Sequence, residues 1–365
     1  MRIAIDAMGG DKAPGEIVSG ALAAARELSD IEVLLVGDQA AMEKHVDGAL
    51  PPNVQFHHAP DVVEMGEAPS QALRKKTNSS LAVATQLVAD GLADTVLSAG
   101  NTGAFAAFAL FRIGRIEGVD RPGIATVFPS QTKPVVVLDT GANANCKAPH
   151  LAEFAVMGAA YARGVTGIIP GTENINFSQE LPTVGLLSIG EEEGKGNDLT
   201  KAAYKLLQEN AAHGKYHFHG NVEGRDLSLG TTDVIVCDGF VGNVVLKVAE
   251  GIAKMVTGAL RDSLSSGWRA KLGALLIAPS LRRFKGKVDY TGYGGAVLLG
   301  LNAICIICHG SSNARSIQSA IRIAQHVVDA DVVENIRKAF QDDTPEIKAE
   351  SNGHSTTSIT PPISL

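Results

Sequence analysis

Between an apolar segment at Thr95–Leu97 and an alanine-rich segment at 105–111, the chain reads Ser98-Ala99-Gly100-Asn101-Thr102-Gly103. These are the residue types of an anion cradle. The first amides of a helix have no intrahelical acceptor, the positive end of the dipole points the same way, and glycine admits a close approach. Ser98, Gly100, Asn101, Thr102 and Gly103 are therefore candidate phosphate contacts. A plain capped helix after a strand explains this one loop equally well. The clusters Asp6–Asp11, Asp139–Asn145, Asp238–Asn243 and His309–Asn313 strengthen the phosphate reading, because each follows a short apolar run. Polar turns after successive strands point to one shared cleft.

Single residues within these turns have definite chemical uses. His309 follows an apolar run and can protonate a leaving group or bind an anion, with a satisfied structural histidine as the alternative. Lys195 sits in Gly190-Glu191-Glu192-Glu193-Gly194-Lys195-Gly196. There it can neutralise phosphate or a developing oxyanion, unless it is an ordinary surface lysine. Asn221 and Asn243 can donate hydrogen bonds without adding charge, with turn or capping roles as the equal alternative, and Asp238 can orient a donor or take a proton from phosphate. Asp6 and Asp11 shape the first turn. Arg74, Lys75 and Lys76 form a basic cluster expected near a helix start, suited to phosphate or an acidic partner, with a solvated helix face as the plainer use.

Familiar catalytic motifs are missing. No complete G-x-G-x-x-G occurs, the 190–196 loop is one residue short of a P-loop, and there is no G-x-S-x-G elbow. Cys305-Ile306-Ile307-Cys308-His309 matches a haem attachment pattern in form, but the run 303–307 reads as a buried strand, and the thiols as reduced and structural.

Short apolar runs at 3–5, 31–36, 95–97, 124–128, 134–138, 183–188, 216–218, 233–237 and 303–307 predict strands, most too continuously apolar to have a wet face. Helical spacing predicts helices at 17–28, 81–88, 105–111, 149–163, 198–212, 240–265 and 312–328. The alternation predicts an α/β fold: a three-layer, mostly parallel sheet with ligands at the carboxyl ends of its strands.

The chain has 365 residues, 45% of them hydrophobic, and a net charge of −7. That balance argues against a nucleic-acid partner. No targeting segment is expected ahead of Ile3, so a cytoplasmic protein is predicted. Residues 1–340 are expected to form a single α/β catalytic domain, followed by a disordered polar tail over 341–365. Within the domain, 251–290 reads as a basic amphipathic helical excursion with eight Lys/Arg and only two acids, an island of +6 in a chain otherwise at −13. Trp268, Arg269, Lys271, Arg282, Arg283 and Lys285 suit an acidic protein or an anionic membrane surface, with a dimer interface as the plainer use.

Taken in order, IAIDAMGGD at 3–11, SAGNTGA at 98–104, DTGAN at 139–143, GEEEGKGN at 190–197, GNVEGRD at 220–226, DGFVGNVVLK at 238–247 and YGGAVLLG at 293–300 resemble the bacterial phosphate acyltransferase family of phospholipid synthesis. The resemblance implies a fold similar to isocitrate and isopropylmalate dehydrogenases and a homodimer. It implies transfer of a fatty acyl group from acyl carrier protein to inorganic phosphate, with no cofactor and no metal. The acyl phosphate then passes to a membrane glycerol-3-phosphate acyltransferase, with this chain peripherally associated at the membrane. Phosphate is itself a nucleophile, so positioning and oxyanion stabilisation suffice. A metal-dependent decarboxylating dehydrogenase and a noncatalytic scaffold between carrier protein and membrane are the alternatives.

Overall fold

The computed structural model describes residues 1–165, 181–281 and 295–341. Its strands are β1 (Arg2–Asp6), β2 (Glu32–Gly37), β3 (Val54–His58), β4 (Thr95–Ser98), β5 (Gly123–Phe128), β6 (Val135–Leu138), β7 (Thr183–Leu187), β8 (His217–Val222), β9 (Val234–Val236), β10 (Ala296–Leu299) and β11 (Ile304–Ile307). They make one sheet in the order β3-β2-β1-β4-β11-β10-β5-β6-β9-β7-β8. The helices are α1 (Gly15–Glu27), α2 (Gln39–Glu43), α3 (Pro69–Lys75), α4 (Ser80–Ala89), α5 (Thr102–Arg112), α6 (Ala148–Gly164), α7 (Asp198–Ala212), α8 (Gly224–Leu229), α9 (Gly239–Ser265), α10 (Trp268–Leu276), α11 (Ala314–Asp329) and α12 (Val332–Gln341). The mostly parallel α/β sheet is the fold class expected from the alternating pattern.

Both faces of the sheet are covered. Ile3 and Ile5 of β1 enter one core with α1, α6 and α11, while Ala4 between them enters a second with α4 and α5. A strand buried on both sides needs apolar residues at every position, which is why these strands read as unbroken runs. Helix α1 buries Ile17, Val18, Ala21, Leu22 and Ala25 on one stripe. It meets α11 so closely that a Cβ on Gly20 would lie 2.5 Å from the Ala314 carbonyl oxygen.

Two strands lack the expected signature. Edge strand β3 carries Gln55, His57 and His58 and has little apolar burial. The short run of β10 follows glycines and runs antiparallel to both of its neighbours. Arg74 and Lys75 lie in the last turn of α3, not near a helix start, where cations suit the negative end of the dipole.

Strand β5 is the seam of the molecule. Its residues 123–125 pair with β10 and its residues 126–128 pair with β6. Strands β3, β2, β1, β4 and β11 are mutually parallel and run in the direction of β5, whereas β6, β9, β7 and β8 run against it. Val297 stands opposite both Ile306 and Ala125, so β11 ends level with Thr126. Val137 pairs with Thr126, so β6 ends level with Ala125. The carboxyl ends of the two half-sheets therefore face each other at the middle of β5, and the segments that follow β4, β6, β9 and β11 meet there.

Candidate active site

A cavity of about 330 Å³ occupies this meeting point. Its walls come from Thr126 and Val127 of β5, Thr140 and Gly141 after β6, the start of β10, Cys308 and His309 after β11, Ser312 and Ser316 around the start of α11, and Thr102 of α5. Helix α9 adds Asn243, Leu246, Lys247 and Glu250 along one stripe. The polar turns thus converge, with an apolar wall formed by Ile124, Val127, Leu246 and Ile307.

Three helices begin at or beside the cavity, and their first amides are treated differently. At α9, Asp238 Oδ1 accepts from the amides of Phe240 and Val241 at 3.0 and 2.9 Å. At α11, Glu16 Oε2 accepts from the Ala314 amide at 2.6 Å and Asn313 Oδ1 from the Ser316 amide at 3.0 Å. At α5, Asn101 Oδ1 accepts from the Ala104 amide at 3.0 Å. The amides of Thr102 and Gly103 have no acceptor among the described residues. Helix α5 therefore offers two adjacent amides and no carboxylate, the arrangement that receives an anion.

The other residues of that loop hold it in shape. The Ser98 hydroxyl donates to Asp6 Oδ2 at 2.7 Å and accepts from the Gly100 amide at 3.0 Å, inside the core. Burial pushes the Asp6 carboxyl above its ordinary pKa, against the hydrogen bonds that lower it. Gly100 packs on Gly9, whose Cβ would lie 2.8 Å from the Gly100 nitrogen. Gly103 makes room for Pro69, 2.9 Å from where its Cβ would stand. Ser98, Gly100 and Asn101 thus turn their side chains or amides inward, and Thr102 with Gly103 presents the open amides.

His309 lines the cavity with a defined tautomer. Its Nδ1 accepts from the Ser311 amide at 3.1 Å, so in the neutral ring Nε2 carries the proton. Lys247 and Glu250, neither singled out from the sequence, form an ion pair of 3.2 Å. Among the described residues Lys247 is the only lysine or arginine lining the cavity and Glu250 the only carboxylate. Asp139 accepts from the amides of Ile124, Gly141, Ala142 and Asn143, and so organises the loop after β6.

Lys195 and Asn221 lie together at the ends of β7 and β8, outside the residues lining the cavity. The Asn221 amide nitrogen donates to the Glu192 carbonyl at 2.8 Å, in the same loop as Lys195. Asp238 caps α9. Trp268 is exposed at the start of α10 with the Arg269 guanidinium 5.2 Å from its ring centroid, and Lys271 follows on the same helix. Arg282, Arg283 and Lys285 lie outside the described residues, as does the tail from 342. No helix of the described residues is long and apolar enough to cross a membrane.

All four cysteines are free thiols. Burial pushes Cys308 up to about 12 and Cys146 up to about 11, and it holds Cys237 and Cys305 well above the ordinary thiol range. None is an activated thiolate at neutral pH.

The fold is shared with the phosphotransacetylases. It matches one from Streptococcus pyogenes with a TM-score of 0.59 at 16% identity, covering 92% of this chain and 94% of that one. The EutD phosphotransacetylase from Staphylococcus aureus gives 0.57 at 18% identity, covering 90% and 94%. The chain belongs to the fatty acid synthesis protein family, whose model matches residues 1–335, and it is an acyltransferase. The phosphate acyltransferase of Pelotomaculum thermopropionicum is 49% identical over 345 residues, 93% of this chain and 95% of that protein. That of Desulforamulus reducens is 49% identical over 344 residues, 94% and 98%. Membership sets aside the dehydrogenase and scaffold alternatives.

Proposed function

We propose that this enzyme transfers a fatty acyl group from acyl carrier protein to inorganic phosphate, giving acyl phosphate for phospholipid synthesis. The observation that carries the reading is the open start of α5, with the Thr102 and Gly103 amides free beside a cavity that has one polar and one apolar wall. Phosphate binds at those amides, its charge offset by Lys247, and the acyl chain lies against Leu246, Val127 and Ile307. A phosphate oxygen attacks the thioester carbonyl, the C–O bond forms and the C–S bond breaks. The P–OH proton of hydrogen phosphate passes to the departing thiolate, giving a thiol and the acyl phosphate dianion, and the His309 Nε2–H hydrogen-bonds that sulfur as its charge develops. The raised thiol pKa values favour this direct attack over an acyl-cysteine intermediate.

Lys195 and Asn221 act from the neighbouring loop at the ends of β7 and β8, and Asn243 from α9. The basic region 251–290, with Arg269 and Lys271 on α10, receives the acidic carrier protein. Exposed Trp268, Leu272, Leu275 and Leu276 bring the cytoplasmic enzyme to the membrane surface, where a glycerol-3-phosphate acyltransferase takes the product. The exposed apolar stripe of α9, Val241, Val244, Val248, Ile252 and Met255, pairs with a second copy of the chain.

The test is to mix the purified protein with palmitoyl-[acyl carrier protein] and inorganic phosphate, without nucleotide or metal, and to detect acyl phosphate by mass spectrometry. Phosphate-dependent product is expected. No product from folded enzyme and intact donor overturns the reading.

A further inference from the structure

A carboxylate is an unexpected occupant of a cavity built for an anion. Glu250 stands seven residues, two helical turns, beyond Asn243 on the stripe of α9 that lines the cavity, with its side chain only 8% exposed. Residues of this type are almost never buried without a partner. The partner here is Lys247, half exposed, whose Nζ lies 3.2 Å from Oε2. Oε1 accepts from no group among the described residues. A carboxylate beside a fully deprotonated anion is repulsive, whereas one beside an anion that carries a proton is a hydrogen-bond acceptor for it.

We propose that Glu250 selects the protonated form of the acceptor. It takes the hydrogen bond from the P–OH group of hydrogen phosphate, so the cavity admits that ion and turns away tetrahedral dianions that carry no proton. This rests on the reading of phosphate as acceptor and adds the basis of its specificity. Hydrogen phosphate has one donor and three acceptor oxygens. Sulfate and monofluorophosphate match it in shape and charge but have acceptors alone. The three acceptor oxygens face the Thr102 and Gly103 amides and Lys247, and the single donor faces Glu250. A further lone pair on one of the three deprotonated oxygens meets the thioester.

The test measures sulfate and monofluorophosphate as competitors of phosphate at constant ionic strength, in the wild type and in Glu250→Gln. In the wild type both should compete poorly. In Glu250→Gln the acceptor oxygen that remains is weaker and an N–H donor has been added. Phosphate KM should rise and the sulfate inhibition constant should fall, each by about ten- to a hundredfold, the usual weight of one hydrogen bond to a charged group. A general charge effect would strengthen phosphate and sulfate alike, and that outcome overturns the proposal. So does a wild type that binds sulfate as tightly as phosphate, a measurement that stands even where the variant fails to fold. Failure of the acceptor reading itself is distinct, because the wild type would then form no acyl phosphate at all.

Discussion

The Asn101 carboxamide nitrogen lies 2.8 Å from the Glu67 carbonyl oxygen, and it also reaches the carbonyls of Met65 and Glu64 at 3.0 and 3.2 Å. Its oxygen caps α5. One side chain thereby starts α5 and fastens the 64–67 loop to it. Asn101→Ala should lose about 1 kcal/mol from the cap alone. Asn101→Asp keeps the capping oxygen but deprives three carbonyls of their donor and sets a negative charge behind the open amides. Thermal melts should fall for both variants, and phosphate KM should rise more for the aspartate. Normal melts and normal KM in both would refute the role.

Thr102 is the first residue of α5, where proline is favoured. Asn101 before it has φ −64° and ψ 107°, an extended conformation that tolerates a following proline. Thr102→Pro therefore removes one amide while leaving the helix intact, and Thr102→Ala removes only the hydroxyl. Losing one charge-assisted bond of roughly 1.5–3 kcal/mol should raise phosphate KM about ten- to a hundredfold in the proline variant alone. Equal phosphate KM in the two variants would place the anion elsewhere.

The thiols give the stability a definite alkaline limb. The Cys308 thiol is raised from 9.0 to about 12 by burial, so the folded state holds its proton more tightly than the unfolded state does. That contribution is complete below about pH 9 and is lost as pH climbs towards 12. Denaturation at stepped pH should show the fall, and Cys308→Ala should flatten it. Acyl transfer by Cys308→Ala at neutral pH should remain within a fewfold of wild type, since no thiolate takes part. Abolished turnover in a well-folded variant would argue for an acyl-cysteine.

Two glycines separate damage to the cavity from damage to the frame. A Cβ on Gly242 would collide with the Asp139 carbonyl oxygen, pushing α9, and with it Asn243 and Lys247, away from the end of β6. A Cβ on Gly164 would collide with the Val332 side chain and force apart the end of α6 and the start of α12, neither of which lines the cavity. Each substitution to alanine should destabilise by about 1–3 kcal/mol as overpacking does. At a temperature where both fold, kcat/KM should drop in Gly242→Ala and hold in Gly164→Ala.

Pairing through α9 is equally open to measurement. Val248→Lys places a charge in the middle of the exposed apolar stripe, and sedimentation velocity should shift from dimer towards monomer. An unchanged dimer would place the interface on another face.

Much of the frame was legible in the residues. Helix α7 runs over 198–212 as predicted because Asn197 caps its start and accepts the Thr200 amide at 2.9 Å. Strand β3 was not legible, since an edge strand needs few apolar residues. The sequence named the start of α5 as a candidate phosphate contact, but it did not show that α11 receives Glu16, 298 residues away from Ala314 in sequence. Lys247 and Glu250 read in sequence as one more exposed pair at helical spacing. Only the convergence on β5 turns that pair into part of a cavity wall.

Two of the three helix starts near the cavity already carry a carboxylate of the chain itself, Asp238 on α9 and Glu16 on α11. Those side chains act as resident counter-ligands. In the proposed function phosphate goes to α5, where neither of the first two amides has an acceptor among the described residues and no carboxylate stands. Pyrophosphate, or the diphosphate of a nucleotide, would bring its second group against a carboxylate in place of an amide. With phosphate received at α5, as proposed, the site counts phosphorus atoms and takes a single tetrahedral centre.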